Sequence, residues 1–391
     1  MKLSENIEIG VVGSGAMGAG IAQVAATAGH KVVIHDSSPE ALSMARSNMS
    51  KTFSKLVEKN KITADEALAI QKRISFENDL IHFRHCGLVI EAIVENLDVK
   101  QKVFLQLEKI VKPDCILASN TSSLSIASIA SVITDNSRVV GIHFFNPAPL
   151  MPLVEIIPGL LTSSAVTNAC KDLISSWGKQ CVLAKDTPGF IVNRVARSFY
   201  GESIRIYEEG IADIATIDWA MKEIGGFKMG PFELMDFIGN DINYKVTESV
   251  WEQFFYEARF KPSLTQKRLF EAKLFGRKSG RGYYNYAEGV VQPQPNKDAA
   301  LGTLIFNRVI AMLINEAADS LYLRLATRED LDTAMTKGVN YPKGLLRWAD
   351  DLGIAKVHET LSSLYQLYNE ERYRPCLLIK HMAHEKQKFY N

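Results

Sequence analysis

Apolar residues come in short, dense runs over the first half of the chain and at helical spacing over the second. Residues 7–12 form one such run and predict a strand. Residues 13–18 read as a turn, 19–28 as a helix stopped by Gly29, and 31–36 as a second strand, which together make a βαβ unit. Ser38, Pro39 and Glu40 then open another helix, with Ser38 as N-cap and Pro39 at its first position. Polar helical stretches follow at 46–61 and 63–72, and short apolar strands at 87–92, 115–118, 139–144, 154–157 and 181–183. Strands alternating with helices predict an α/β sheet that is largely parallel at first, of the Rossmann type.

After Lys185-Asp186-Thr187-Pro188-Gly189 the pattern becomes helical, and it does so twice. Asn193-Arg194-Val195 recurs as Asn307-Arg308-Val309, an offset of 114 residues. At that offset Glu202 meets Glu316, Asp218 meets Asp332, Gly230 meets Gly344, Asp236 meets Asp350 and Gly239 meets Gly353. Without a gap, 11 of the 47 positions from 193 to 239 are identical, where ordinary composition would give roughly three. The helical region is therefore read as a duplication. The expected organisation is a dinucleotide-binding domain at 1–186, an all-α domain at 187–287, a Pro- and Gln-containing linker at 288–298, and a second copy of the all-α domain at 299–391.

Composition narrows the function classes. The net charge of +1, from 45 basic and 44 acidic residues, gives no reason to expect a nucleic acid or an anionic membrane as partner. The five cysteines are scattered and form no CxxC pair, which argues against a metal site and for reduced thiols in a cytoplasmic setting. The segment before Ile7 is too short for a signal peptide. The uncharged stretch 11–29 is rich in Gly and Ala and holds a phosphate-loop pattern, so it reads as a loop and packed helix and not as a membrane span.

That pattern is Gly13-Ser14-Gly15-Ala16-Met17-Gly18. A GxGxxG is weak alone, but this one lies between a strand and a helix, and an acid, Asp36, ends the next strand 18 residues after Gly18. Gly13 permits the tight turn, Gly15 lets backbone approach a pyrophosphate, and Gly18 lets helix and strand pack closely, while the helix N-terminus attracts the phosphates. A carboxylate at Asp36 suits free ribose hydroxyls and repels a 2′-phosphate, and residues 37–40 carry no arginine to hold one. The expected cofactor is NAD. The bland alternative, Asp36 as a helix cap, is met by Ser38 already filling that place.

Four further segments carry a resemblance: Glu91-Ala92-Ile93-Val94-Glu95-Asn96, Ser119-Asn120-Thr121-Ser122-Ser123-Leu124, His143-Phe144-Phe145-Asn146-Pro147, and Asp186-Thr187-Pro188-Gly189-Phe190-Ile191-Val192-Asn193-Arg194. In order and spacing they resemble the 3-hydroxyacyl-CoA dehydrogenases, a likeness that covers essentially the whole chain. The resemblance implies NAD-dependent oxidation of an (S)-3-hydroxyacyl-CoA to the 3-ketoacyl-CoA, as in fatty-acid β-oxidation or related acyl-CoA breakdown. It implies that His143 is the catalytic base and Glu155 its partner. The residues agree, because a Pro-rich turn at 146–152 between two strands can bring positions twelve apart side by side, and a carboxylate beside an imidazole fixes its tautomer. By the same resemblance Ser122 and Asn193 hydrogen-bond substrate near the reacting carbon, and Glu95, Lys100, Asn120, Ser122, Asn146 and Lys278 lie around the nicotinamide half of NAD. Lys55 and Lys59 are candidates for the CoA phosphates, which lysines suit as point charges. Two bland readings stand beside these. Asn193 has a counterpart, Asn307, in a copy with no dinucleotide domain, so the Asn-Arg pair also fits a structural helix start. Lys55, Lys59 and Lys100 also fit solvated helix faces.

Two rival functions remain at this point: a β-hydroxy acid dehydrogenase acting without CoA, and a non-catalytic protein that keeps the NAD fold. No motif encodes the acyl chain, so 3-hydroxybutyryl-CoA and 3-hydroxyadipyl-CoA both stay open. In short members of the family the helical domain pairs with its copy in a second subunit, so the duplicated tail is expected to pair internally as a built-in pseudo-dimer. A further homodimer of whole chains is left open.

Overall fold

The computed structural model describes residues 7–390, and the chain divides into two compact units, Met1–Thr187 and Pro188–Asn391. In the first, the apolar runs form a single eight-stranded sheet: β1 (Glu8–Val12), β2 (Val32–His35), β3 (Ile74–Glu77), β4 (Cys86–Glu91), β5 (Ile116–Ser119), β6 (Val139–Phe144), β7 (Leu153–Pro158) and β8 (Gln180–Leu183). Their spatial order is β3-β2-β1-β4-β5-β6-β7-β8. Neighbours from β3 to β6 are parallel, β7 returns antiparallel on β6, and β8 runs parallel to β7. The chain order reverses between β1 and β4, and such a switch point opens a crevice beyond the strand ends where ligands bind. β3 is the strand that periodicity does not predict, because Ile-Ser-Phe-Glu is short, half polar and sits at the sheet edge.

Six helices accompany the sheet: α1 (Ala16–Thr27), α2 (Pro39–Glu58), α3 (Ala64–Lys72), α4 (Leu97–Ile110), α5 (Ile126–Ala130) and α6 (Ser164–Ser176). Their starts are set by side chains that satisfy otherwise unpaired amides. Ser38 accepts from Ala41 N, Asn96 from Val99 N and Ser163 from Val166 N, and Thr63 forms a reciprocal capping box with Glu66. Each such cap contributes about 1 kcal/mol. Ile9, Val11, Ile34, Ile90, Val140 and Ile156 are fully buried in the core between sheet and helices.

The second unit is helical: α7 (Val192–Val195), α8 (Arg197–Glu208), α9 (Ile214–Trp219), α10 (Pro231–Ile238), α11 (Asn240–Gln253), α12 (Leu264–Glu271), α13 (Ala299–Tyr322), α14 (Arg328–Gly338), α15 (Leu345–Leu352), α16 (Ile354–Tyr368) and α17 (Leu377–Glu385). The repeat read from sequence has a matching geometry. Asp218 accepts from the amides of Phe232 and Glu233 at the start of α10, and Asp332 accepts from those of Leu346 and Arg347 at the start of α15. Gly230 and Gly344 allow this, since a Cβ there would lie 2.3 Å and 2.2 Å from the respective carboxylate. Asp236 accepts from the amides of Tyr283 and Tyr284, and Asp350 from those of Phe389 and Tyr390. The Tyr284 and Tyr390 hydroxyls return to Asp218 and Asp332.

The two copies also exchange ion pairs. Arg194 Nε donates to Glu316 Oε1 at 2.5 Å, and Arg308 Nε donates to Glu202 Oε1 at 2.6 Å. Residue i of one copy meeting j of the other, and the reverse, is the signature of two-fold pairing. Helix α13 is long and apolar enough to cross a membrane by composition, but it packs against α8, α15 and α16, with 67% of its apolar window buried.

Candidate functional site

The glycine loop joins β1 to α1. Gly13 has φ +101°, and a Cβ there would lie 2.6 Å from the carbonyl oxygen of Ala92. At Gly18 a Cβ would fall 1.9 Å from the Gly13 carbonyl oxygen, so only glycine allows α1 to start this close to the turn. Above Gly15 there is nothing within 4 Å, which leaves room for a phosphate against the backbone. Gly15 caps α1 with no side-chain acceptor and Ala16 is its first residue, so the amides of the opening turn are offered to an anion. Met17 packs partly buried against the core.

Asp36 follows β2 and ties to this loop. Its carboxylate accepts from Ser14 N at 2.9 Å, Ser14 Oγ at 2.8 Å and Ser38 N at 3.1 Å. Burial works to raise its pKa, but these hydrogen bonds outweigh it and hold the carboxyl below its usual range. Ser38 caps α2, so Asp36 is not needed for that. An ionised acid beside the phosphate loop is the arrangement that receives ribose hydroxyls.

Further along the sheet edge lies a buried network. Glu91, the last residue of β4, is fully buried; Lys100 Nζ donates to its Oε1 at 2.6 Å, Ser119 Oγ to its Oε2 at 2.6 Å, and Ile93 N to Oε1 at 2.7 Å. Lys100 also reaches Glu95 Oε2 at 3.2 Å and is 1% exposed. Glu95 Oε1 gathers the loop after β5, accepting from Thr121 Oγ1 at 2.6 Å, Ser122 N at 2.9 Å and Ser123 N at 3.1 Å. The Lys100 charge and these donors overcome burial and lower the Glu95 pKa. Ser122 is thus presented by a loop that an ionised carboxylate holds. Asn120 Oδ1 accepts from Phe144 N at 2.8 Å, joining this loop to the end of β6.

His143 lies on β6 and Glu155 on β7, and the two are direct partners in the antiparallel register. Nδ1 of His143 donates to Glu155 Oε2 at 2.7 Å, with Glu155 fully buried and His143 6% exposed. The Phe145 ring lies 4.5 Å from the imidazole between centroids. Asn146 is exposed at the start of the connecting loop, before a cis bond to Pro147. Lys179, beside β8, donates to the carbonyls of Ala148 at 2.6 Å and Met151 at 2.8 Å and so holds the loop between the paired strands.

A cavity of about 1100 Å³ in the first unit runs from the glycine loop along α1 and α2. Lys55 and Lys59 line it, with Asn48, Thr52, Lys179 and, as its only acid, Asp36. Asn193 and Lys278 belong to the second unit: Asn193 lies in α7, and Lys278 Nζ pairs with Asp241 Oδ1 at 2.6 Å. Tyr284 and Tyr390 are counterparts, yet they lie 106 residues apart where the earlier pairs lie 114 apart. The second copy is therefore shorter just ahead of this point, where the first carries the Lys278 loop. Among the described residues no group of three or more His, Cys, Asp or Glu could hold a metal, and all five cysteines are free.

The residues that sequence reasoning missed are Glu91, Ser119 and Lys179. An acid closing an otherwise apolar strand was a signal for Glu91, whereas a lysine after a glycine gave none for Lys179.

Comparison with known proteins agrees along the chain. The family model "3-hydroxyacyl-CoA dehydrogenase, NAD binding domain" matches residues 8–187, and its "C-terminal domain" model matches twice, at 189–286 and 304–389. A 3-hydroxyadipyl-CoA dehydrogenase of Escherichia coli is 38% identical over 96% of this chain and 97% of its own. A probable 3-hydroxybutyryl-CoA dehydrogenase of Deinococcus radiodurans is 42% identical over 72% of this chain and all of its own. The crystal structure of 3-hydroxybutyryl-CoA dehydrogenase from Escherichia coli superposes with a TM-score of 0.91 at 37% identity, covering 97% of this chain and 99% of that one. With a NAD-binding domain and two copies of the helical domain matched in order, the chain belongs to the 3-hydroxyacyl-CoA dehydrogenase family.

Proposed function

We propose that this chain oxidises the 3-hydroxyl of a 3-hydroxyacyl-CoA to the ketone with NAD, and the observation that carries this is the buried His143–Glu155 pair. Bound NAD supplies the hydride acceptor. The loop at Gly13–Gly18 fits its pyrophosphate, and Asp36 fits the adenosine ribose. Glu155 fixes Nδ1 of His143 as the protonated nitrogen, which makes Nε2 the basic one. His143 Nε2 then takes the hydroxyl proton as the hydride departs, and Glu155 stabilises the resulting imidazolium. Ser122 and Asn193 orient the hydroxyl and the thioester, Ser122 through the loop that Glu95 secures. Glu95, Lys100, Asn120, Asn146 and Lys278 serve the nicotinamide end, with Lys100 acting through Glu95. Lys55 and Lys59, on the wall of the large cavity, meet the CoA phosphates.

The second helical copy stands in for a partner subunit, and the exchanged pairs Arg194–Glu316 and Arg308–Glu202 support this. Without a dinucleotide unit of its own or a counterpart of the Lys278 loop, that copy holds no second catalytic centre. Free, mostly buried thiols support a cytoplasmic setting. Purified protein with NAD should form NADH from 3-hydroxybutyryl-CoA or a longer 3-hydroxyacyl-CoA, and not from the free β-hydroxy acids. Turnover of the free acids alone would favour the rival without CoA, and no turnover of any of them would reject catalysis.

A further inference from the structure

Five arginines of the described residues are buried at Arg138, Arg194, Arg197, Arg308 and Arg372, and four of them lie within 4 Å of a carboxylate. Arg197 is the exception. Its Nε donates to the Asn193 carbonyl at 2.8 Å, and Nη1 to Thr247 Oγ1 at 3.1 Å and the Asn243 carbonyl at 3.5 Å. The Tyr200 ring lies 5.0 Å from the guanidinium carbon. Burial pushes its pKa down, and no carboxylate among the described residues pairs with it. Its Nη2 has no acceptor among the described residues. Packed with its ring 5.7 Å from that of Phe199, two residues from Arg197, the Tyr341 hydroxyl is also buried and without a partner. A buried cation without a carboxylate, beside a buried hydroxyl without a partner, makes a costly arrangement unless an anion arrives.

The duplication supplies an internal control. At the same offset, Arg197, Tyr200, Asn243 and Thr247 of the first copy become Ala311, Ile314, Val357 and Leu361 in the second, all buried and apolar. Tyr341 of the second copy corresponds to Phe227 of the first. The same helical framework thus closes with hydrocarbon at one of its two equivalent places. The polar cluster at the other is not required by the fold.

We propose that Arg197, with Tyr341, binds the distal carboxylate of a dicarboxylic 3-hydroxyacyl chain. The proposal rests on the function above, which sets Asn193 beside the reacting carbon. Arg197 follows Asn193 by four residues, about one helical turn of 5.4 Å. In a six-carbon diacid thioester three carbon–carbon bonds of about 1.5 Å separate the reacting C3 from the terminal carboxyl. A charge-assisted hydrogen bond of about 2.8 Å completes a comparable span. A planar guanidinium with one edge still unsatisfied suits a carboxylate, and an acyl chain ending in methyl would leave the charge and the phenol unpaired.

The test compares kcat/KM for 3-hydroxyadipyl-CoA and 3-hydroxyhexanoyl-CoA, which have equal chain length and differ in the terminal carboxylate. The wild-type protein is expected to favour the adipyl thioester by about 100-fold. Arg197→Met should bring that ratio close to one, mainly through KM for the adipyl substrate, and Tyr341→Phe should lower it by about fivefold. Equal use of the two thioesters by the wild-type chain would overturn the proposal, and so would an Arg197→Met variant that loses both activities in proportion. If Arg197→Met does not fold, the wild-type ratio and the Tyr341→Phe ratio decide. Absence of NADH from either thioester and from 3-hydroxybutyryl-CoA would instead defeat the dehydrogenase reading itself.

Discussion

Arg194 and Glu316 lie 122 residues apart in the chain and are joined by a buried 2.5 Å hydrogen bond between the two helical copies. Glu316 also accepts from Arg259 Nη1 at 2.9 Å. Burial alone would raise the Glu316 pKa, but the two guanidinium charges outweigh it and lower it. Glu316→Ala leaves both arginines buried with only the partly buried Asp319 to share. Removing one member of such a network costs about 3–5 kcal/mol. Glu271→Ala, which breaks the exposed pair with Arg268, should cost no more than about 0.5 kcal/mol. Urea unfolding of the two variants reads the contrast, and equal midpoints would show that the buried network does not hold the copies together.

The His143–Glu155 pair makes a kinetic prediction. His143→Ala removes the proton acceptor, so kcat should fall by about 10²–10⁴-fold. NADH affinity, measured by fluorescence titration, should change little, because the glycine loop and Asp36 are untouched. Glu155→Gln keeps a hydrogen-bonding group beside Nδ1 but no longer stabilises the imidazolium, and its kcat should fall by a factor of the same order. A His143→Ala enzyme with near-normal kcat would remove the imidazole from the chemistry.

Burial pushes Asp218 up to about 7, against hydrogen bonds from Tyr284 and from the amides of Phe232 and Glu233. Its folded pKa thus lies above the unfolded value, so the folded state binds the extra proton between about pH 4 and 7. Its contribution to stability is full below the unfolded pKa and is lost as pH rises through 7. Unfolding midpoints measured from pH 5 to 8 should fall more steeply with pH in the wild-type chain than in Asp218→Asn, whose side chain does not titrate. Parallel slopes would show that Asp218 stays ionised across this range.

What was legible in the sequence follows from which interactions are local. The glycine loop, Asp36 and the strand pair carrying His143 and Glu155 could be read because spacing within one turn or one strand return dictates them. The repeat was legible because close approaches such as Gly230 to Asp218 are made again at Gly344 and Asp332. Lys100 was ambiguous for the opposite reason. On an amphipathic helix it has the pattern of a surface lysine, and only the acid at the end of a strand nine residues earlier draws it inside. Arg197 was not legible at all, since its environment is made by residues up to Tyr341, far along the chain.

Lys100 therefore gives the sharpest separation of stability from function. Glu91 is fully buried, and among the described residues Lys100 is the only cation paired with it. Lys100→Met leaves Glu91 with hydrogen bonds from Ser119 and Ile93 but no opposite charge, which should destabilise the first unit by about 3–5 kcal/mol. Adding Glu91→Gln removes the stranded charge, and much of that loss should return. Activity should not return with it. In both variants Glu95 has lost the cation that holds its Oε2, and Glu95 in turn secures Thr121, Ser122 and Ser123. If Lys100 acts by positioning, urea midpoints recover in the double variant while kcat/KM stays at least about tenfold low. If Lys100 only neutralises Glu91, the two recover together.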